Sequence, residues 1–175
     1  MASLFLNQLV KAVAQSVRER GFRRSGNNLR YETRDALQFI SFQSSDSSTS
    51  TSLVVTVNVG CELKKLHEWL RSGRNVNSAQ ACLWNLRLGE FGDSPRDRWW
   101  TVTDLDSLTK TMHEIEALLP RAIEKMNNLS TEEGVRNAFE IGELKGKRFQ
   151  ELRAFIDRPE GSEYWPGWDA PLTDS

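Results

Sequence analysis

The stretch LVVTVNVG, residues 53–60, is the clearest β-strand in the chain. Its β-branched residues favour a pleated, extended backbone, and Gly60 is placed to close it. Before it, Ser44 to Ser52 is almost entirely Ser, Thr and Asp, a polar connection with nothing to bury. Leu37 to Gln43 alternates, with Leu37, Phe39 and Ser41 on one face and Gln38, Ile40 and Phe42 on the other. Asp35-Ala36 reads as the turn before it. Leu29, Tyr31 and Thr33 alternate with Arg30, Glu32 and Arg34, as in a half-solvated strand. Three strands on short connections predict an antiparallel meander.

Outside the meander the period changes. Residues 3–20 carry Phe5, Leu9, Val13 and Val17 at four-residue steps, with Leu6 and Val10 beside them, which is one apolar helical stripe. Ser3 can cap this helix, and Gly21 sits where a left-handed residue would end it, with Phe22 behind. Beyond Gly60, Glu62–Arg71 predicts a short helix with Leu63, Leu66 and Leu70 inward, and Ser72–Ser78 a loop. Cys82–Leu88 suits a fourth strand, Gly92-Asp93-Ser94-Pro95 a turn, and Arg98–Val102 a fifth strand. From Asp104 to Asn127 the helical period returns, through Leu105, Leu108, Met112, Ile115, Leu119, Ile123 and Met126. Thr103 and Asp106 have capping-box spacing. Pro120 lacks a backbone donor and crowds the carbonyl of Glu116, so a kink or restart is expected there. Ser130–Glu133 opens another helix, and apolar marks continue to Ile156 with a break near Gly142 or Gly146. The fold expected is α+β: an antiparallel sheet of about four to five strands, helices on one face, and a helical C-terminal extension.

Composition narrows the function. At 175 residues one domain is the default, and a 38% hydrophobic share is enough to bury a core. Lys and Arg number 23 and Asp and Glu 24, for a net charge of −1. Such a balance argues against a general nucleic-acid binder, which needs a basic surface to displace counterions, and against a polybasic membrane patch. The longest apolar runs are short, such as Leu53–Val55, far below the roughly 20 residues of a spanning helix. Asn7, Gln8 and Lys11 interrupt the N-terminus, which therefore reads as an amphipathic helix and not a signal peptide. Cys61 and Cys82 cannot supply a disulfide framework and read as small buried hydrophobes of a reduced cytoplasm.

GFRRSGNNLRYETRDALQFISFQSS (residues 21–45), LVVTVNVG (53–60), LWNLRLGEF (83–91) and DRWWTV (97–102) together resemble a DUF4304-type domain. The matching features are a helix ending in Gly-Phe, a strand ending in Phe-Gln, an Asn-x-Gly strand end, an Arg-Leu-Gly step and a Trp-Trp pair. Their order and spacing carry the resemblance, which covers roughly residues 3–125. It implies a domain over residues 1–128; residues 129–175 lie beyond it and read, from their own pattern, as a helical extension and an acidic, Trp-containing tail packed on the same domain. The family implies a fold more than an activity. Its members turn up in bacteria, and the resemblance suggests an immunity protein that neutralises a secreted toxin.

The residues point to no local catalytic motif. His67 and His113 begin neither HExxH nor HxH, so no metal site is expected. A GxSxG elbow is missing, and GFRRSG at 21–26 lacks the Lys-Ser/Thr of a phosphate loop. Neither an enzyme nor a cofactor is expected. Arg18, Arg20, Arg23, Arg24, Arg30 and Arg34, by contrast, crowd together against only Glu19 and Glu32. A solvated helix end explains part of this cluster. The rest reads as a docking face for an acidic protein partner, or for the chain's own tail, where residues 157–175 hold one Arg against five carboxylates.

Six tryptophans are the other oddity. Trp84 lies on the apolar phase of its strand, and Trp69 flanks the Leu66/Leu70 stripe. Trp99 and Trp100 are adjacent on a strand, so one enters the core and the other faces away. Trp165 and Trp168 stand in a polar tail and should dock on the domain or on a partner. The candidate partner contacts are Arg23, Arg24, Arg30, Trp100, Trp165 and Trp168, in an interface that would bury roughly 1,600 Å². The other readings are a small-molecule or nucleic-acid-processing enzyme without a local signature, and a structural subunit of a larger assembly.

Overall fold

The computed structural model describes residues 2–70, 75–144, 149–158 and 161. The elements in chain order are α1 (Ala2–Ser16), β1 (Arg23–Ser25), β2 (Asn28–Glu32), β3 (Ala36–Ser44), β4 (Leu53–Leu63), α2 (Lys64–Leu70), β5 (Trp84–Arg87), β6 (Trp100–Val102), α3 (Leu105–Asn128), α4 (Glu132–Glu140) and α5 (Phe149–Ile156). The sheet is antiparallel throughout, ordered β1-β2-β3-β4-β5, with β6 pairing β4 beside β5. Together with the helices it makes an α+β fold.

Register assigns the faces. Leu29, Ile40 and Val59 are aligned across β2, β3 and β4, as are Phe42 with Val57 and Gln38 with Cys61. Trp84 stands opposite Cys61, Trp100 opposite Val55 and Val102 opposite Leu53, so these face the same way. This layer is closed by Phe5, Leu9, Val10 and Val13 of α1 and by Ile115, Leu119, Ala122, Ile123 and Met126 of α3. On the opposite face a smaller cluster forms where Ala79 and Cys82 cover Phe39. There Ser41 Oγ accepts a hydrogen bond from the Ala79 amide at 2.8 Å.

Several local expectations change. α1 ends at Ser16, and a 3₁₀ turn, Arg18–Arg20, leads to Gly21 in the expected left-handed conformation (φ 95°). β1 was not foreseen: its three residues are all exposed and show no apolar alternation. Gly60 does not close its strand, because β4 runs on to Leu63. Its lack of a side chain serves packing instead, since a Cβ there would lie 2.6 Å from the Ala79 carbonyl oxygen. Glu62 thus sits on the strand, and α2 starts two residues later. β5 and β6 are each shorter than the apolar alternation suggested. The cap of α3 is Asp104 with Ser107, not Thr103 with Asp106. α3 passes through Pro120 without a restart; burial of Leu119, Ala122 and Ile123 on its inner side holds it together.

The C-terminal helices share the core. Val135, Ala138, Leu144, Leu152, Phe155 and Ile156 are buried in the same cluster as the sheet. Trp69 meets Phe155 edge-on at 5.5 Å between ring centroids. Arg136 Nη2 donates to the Ile156 carbonyl at 3.0 Å, and Arg158 Nη2 to Glu132 Oε1 at 2.7 Å. Gly142, at φ 74°, breaks the chain after α4. Deeper in, Gln38 Nε2 donates to Asn127 Oδ1 (3.0 Å) and Ser130 Oγ (2.8 Å), tying the α3–α4 joint to the sheet. Both cysteines are buried thiols with no disulfide between them, and burial pushes the Cys61 thiol up to about 12. Among the described residues, no helix is long and apolar enough to cross a membrane.

Candidate functional site

The expected arginine patch divides by strand alternation. Arg23 and Arg30 are register partners across the β1–β2 hairpin, while Arg24 stands opposite Leu29 and faces the other way. Arg23 Nη1 donates to the carbonyl of Arg18 in the 3₁₀ turn (3.1 Å) and to that of Phe22 (3.0 Å). Arg30 Nη2 meets Glu32 Oε2 at 2.6 Å, and Lys64 Nζ meets Glu32 Oε1 at 2.7 Å. Lys64, and then Arg30, hold the Glu32 carboxyl below its ordinary value. Arg24 is tied down on the helical side, through Nη2 to Asn7 Oδ1 at 2.7 Å and Nε to the Gly26 carbonyl at 2.9 Å. The structure therefore brings Arg23 and Arg30 together on the face away from the helices and separates Arg24 from them.

The tryptophans sort by burial. Trp69 and Trp84 are in the core. Trp100 is a correction as a partner contact: only 5% exposed, it belongs to the inner layer opposite Val55. Its neighbour Trp99, 37% exposed, is the member that faces outward. Trp165 and Trp168, with residues 159–160 and 162–175 of the acidic tail, lie outside the described residues.

A cleft of about 420 Å³ opens where β6 meets the first half of α3. Local sequence builds both walls. Gly89 lets the backbone of the 96–98 segment come close, since a Cβ there would lie 2.6 Å from the Arg96 carbonyl oxygen. That segment supplies Arg96 and Arg98, and Trp99 follows it. On α3, Ser107, Lys110, Thr111 and Glu114 recur at three- and four-residue steps and so share the face turned to the cleft. Glu114 Oε2 accepts from Arg98 Nη2 and from Trp100 Nε1, the latter at 2.8 Å. Asp97 is engaged by Arg87 Nε at 3.2 Å, and the Arg87 guanidinium lies 4.7 Å from the centroid of the Trp99 ring.

Charge in the cleft is unequal. Both of its carboxylates are already paired, whereas Arg96 and Lys110 have no carboxylate within ion-pair distance among the described residues. Of the cleft residues the sequence singles out only those of DRWWTV, and there for the family resemblance and the tryptophan pair, not for a charged site. Arg96, Ser107, Lys110, Thr111 and Glu114 were missed from the sequence; the polar recurrence along α3 is the one signal for the last four, and polar positions on an amphipathic helix are ordinarily its solvated side. Elsewhere, among the described residues, no group of three or more His, Cys, Asp or Glu side chains is placed to hold a metal ion. His67 Nδ1 lies 3.6 Å from the buried Glu62 carboxylate, and His113 is exposed on α3.

In comparisons with known proteins, the model of a domain of unknown function, DUF4304, matches residues 13–128. No curated protein and no solved structure matches the chain.

Proposed function

We propose, from the premise that this chain belongs to the DUF4304 family, that it is a non-enzymatic protein-binding domain. Its partner would be a toxin with an acidic surface around the active site, which the domain covers. This is the action of a bacterial immunity protein working in the cytoplasm. The observation that supports the reading is the pairing of Arg23 with Arg30 across the β1–β2 hairpin. Like charges directly opposite one another destabilise a strand pair. Arg23 is steadied by two backbone carbonyls and Arg30 by Glu32, and the remaining N–H groups of this exposed pair are what an acidic partner would meet. Arg also binds carboxylates bidentately and is enriched among interface hot spots.

The test is to express the chain with the toxin-like protein encoded next to its gene, then measure rescue of growth and affinity by calorimetry. Nanomolar binding is expected, weakened at least about tenfold by Arg23→Glu or Arg30→Glu. Arg24→Ala, on the other face, should leave binding within about twofold. The reading fails if no neighbouring gene encodes such a protein, or if both charge reversals bind as tightly as the parent.

A further inference from the structure

The β6–α3 cleft, separate from the Arg23–Arg30 face, has the features of a small-ligand site. Its volume of about 420 Å³ falls in the range of pockets that hold small molecules. Thr111 is informative. It is only 4% exposed and lines the cleft, yet its hydroxyl makes no hydrogen bond among the described residues. A threonine inside a helix ordinarily turns its hydroxyl to the carbonyl four residues back. Thr109, one turn of chain away from Leu105, does so, at 2.9 Å to the Leu105 carbonyl. The hydroxyl of this largely covered residue reaches the solvent of the cleft with no protein partner, a place where a ligand oxygen would replace water.

Around that hydroxyl the available charge is positive. Arg96 and Lys110 carry no carboxylate partner among the described residues. Arg98 gives Nη2 to Glu114, and its other N–H groups have no hydrogen-bond partner among the described residues. Of the three cations, Arg98 is held in place between strand and helix by the Arg98–Glu114–Trp100 hydrogen bonds. Trp99, part exposed, adds an aromatic surface to the lining. The geometry points to a binding site for a small phosphomonoester that bears an aromatic or other flat group. The doubly charged phosphate meets Arg96, Arg98 and Lys110 and accepts from the Thr111 hydroxyl; the flat group lies against Trp99. A phosphate offers three terminal oxygens to donors arriving from two elements, where a carboxylate offers two.

The probes are phenyl phosphate, inorganic phosphate and benzoate, titrated calorimetrically into the full chain at constant ionic strength. Phenyl phosphate should bind saturably and at least about fivefold more tightly than either control. Lys110→Met should weaken it at least about tenfold. Thr111→Val, which keeps the shape and removes only the hydroxyl, should weaken it about threefold to tenfold. Trp99→Ala should abolish the preference for phenyl phosphate over phosphate. Thermal melting of each variant separates lost binding from lost folding; should Thr111→Val fail to fold, Thr111→Ser, which retains the hydroxyl, must bind like the parent. The assignment is overturned if phenyl phosphate does not saturate below about 10 mM, if benzoate binds as tightly, or if folded Lys110→Met and Thr111→Val bind like the parent.

Discussion

Trp100 donates its indole N–H to Glu114 Oε2 at 2.8 Å, and this bond joins the edge strand β6 to the helix packed over it. The same oxygen takes Arg98 Nη2. One carboxylate thus satisfies a buried aromatic donor and a guanidinium from positions two residues apart on the chain. Truncating such a group leaves two donors without an acceptor, which costs more than the bonds themselves contribute.

Glu114→Gln keeps the side-chain shape and removes the charge. It should lower stability by about 1–2 kcal/mol, and Glu114→Leu by more, because both donors then lose their acceptor. Urea unfolding followed by tryptophan fluorescence measures this. An unchanged midpoint for Glu114→Leu would reduce the pair to a surface contact without energetic weight.

Gly60 faces the Ala79 backbone, where a Cβ would lie 2.6 Å from the carbonyl oxygen and 2.9 Å from Cα. Gly60→Ala should therefore cost about 1–3 kcal/mol, since backbone cannot swing aside as a flexible side chain can. Differential scanning calorimetry should show a lower Tm than the parent. Had Gly60 merely ended the strand, the same substitution would leave Tm almost unchanged.

Glu132 meets Lys65 Nζ at 3.0 Å and Arg158 Nη2 at 2.7 Å, linking α4 to α2 and to the chain after α5. Burial pushes its carboxyl up, but the hydrogen bonds from Lys65 and Arg158 outweigh this and hold it below its ordinary 4.5. A carboxyl depressed in the folded state stabilises above its unfolded value and loses that contribution as pH falls through the folded one. Its side chain is 34% exposed, so solvent screening keeps the contribution to about 1 kcal/mol. Glu132→Gln should be less stable at pH 7 and approach the parent as pH drops below 4.5. Chemical denaturation at a series of pH values reads this; a constant difference down to strongly acid pH would contradict it.

The family-matched segment, residues 13–128, lacks part of its own core. Phe5, Leu9 and Val10 precede it, and Leu129, Val135, Leu152, Phe155 and Ile156 follow it, all buried in the main cluster. A fragment limited to 13–128 should show no near-ultraviolet circular dichroism and dispersed amide signals only in the full chain. In the full chain, Phe155→Ala should cost about 3–5 kcal/mol, as expected when a buried ring leaves a cavity. A folded 13–128 fragment would show that the C-terminal helices are dispensable.

Local periodicity carried much of the fold. The α1 and α3 stripes, the β2–β3–β4 meander, the left-handed Gly21 and the Ser/Thr connection at 44–52 each depend on neighbours a few residues away. Elements held by distant partners were not legible. β1 exists because Arg23, Arg24 and Ser25 pair with β2 and not because of any apolar pattern. Gly60 looked like an end because its true neighbour, Ala79, is remote in sequence. For the candidate sites the division is sharper: the arginine cluster was visible as composition, but its split into an outward pair and an inward Arg24 needed the register.

By itself the sequence determined the class of the fold, the membership suggested by its motifs and the existence of a Trp99–Trp100 pair with one ring in and one out. Alternation requires that the two adjacent rings point oppositely, yet it is silent on which goes inward. Tertiary structure decided that Trp100 enters the core and Trp99 faces out. It also decided that Arg96, Arg98, Lys110 and Thr111 meet in one cleft. Those choices belong to the pairing of β6 with β4 and the docking of α3, long-range contacts whose energy no local pattern records.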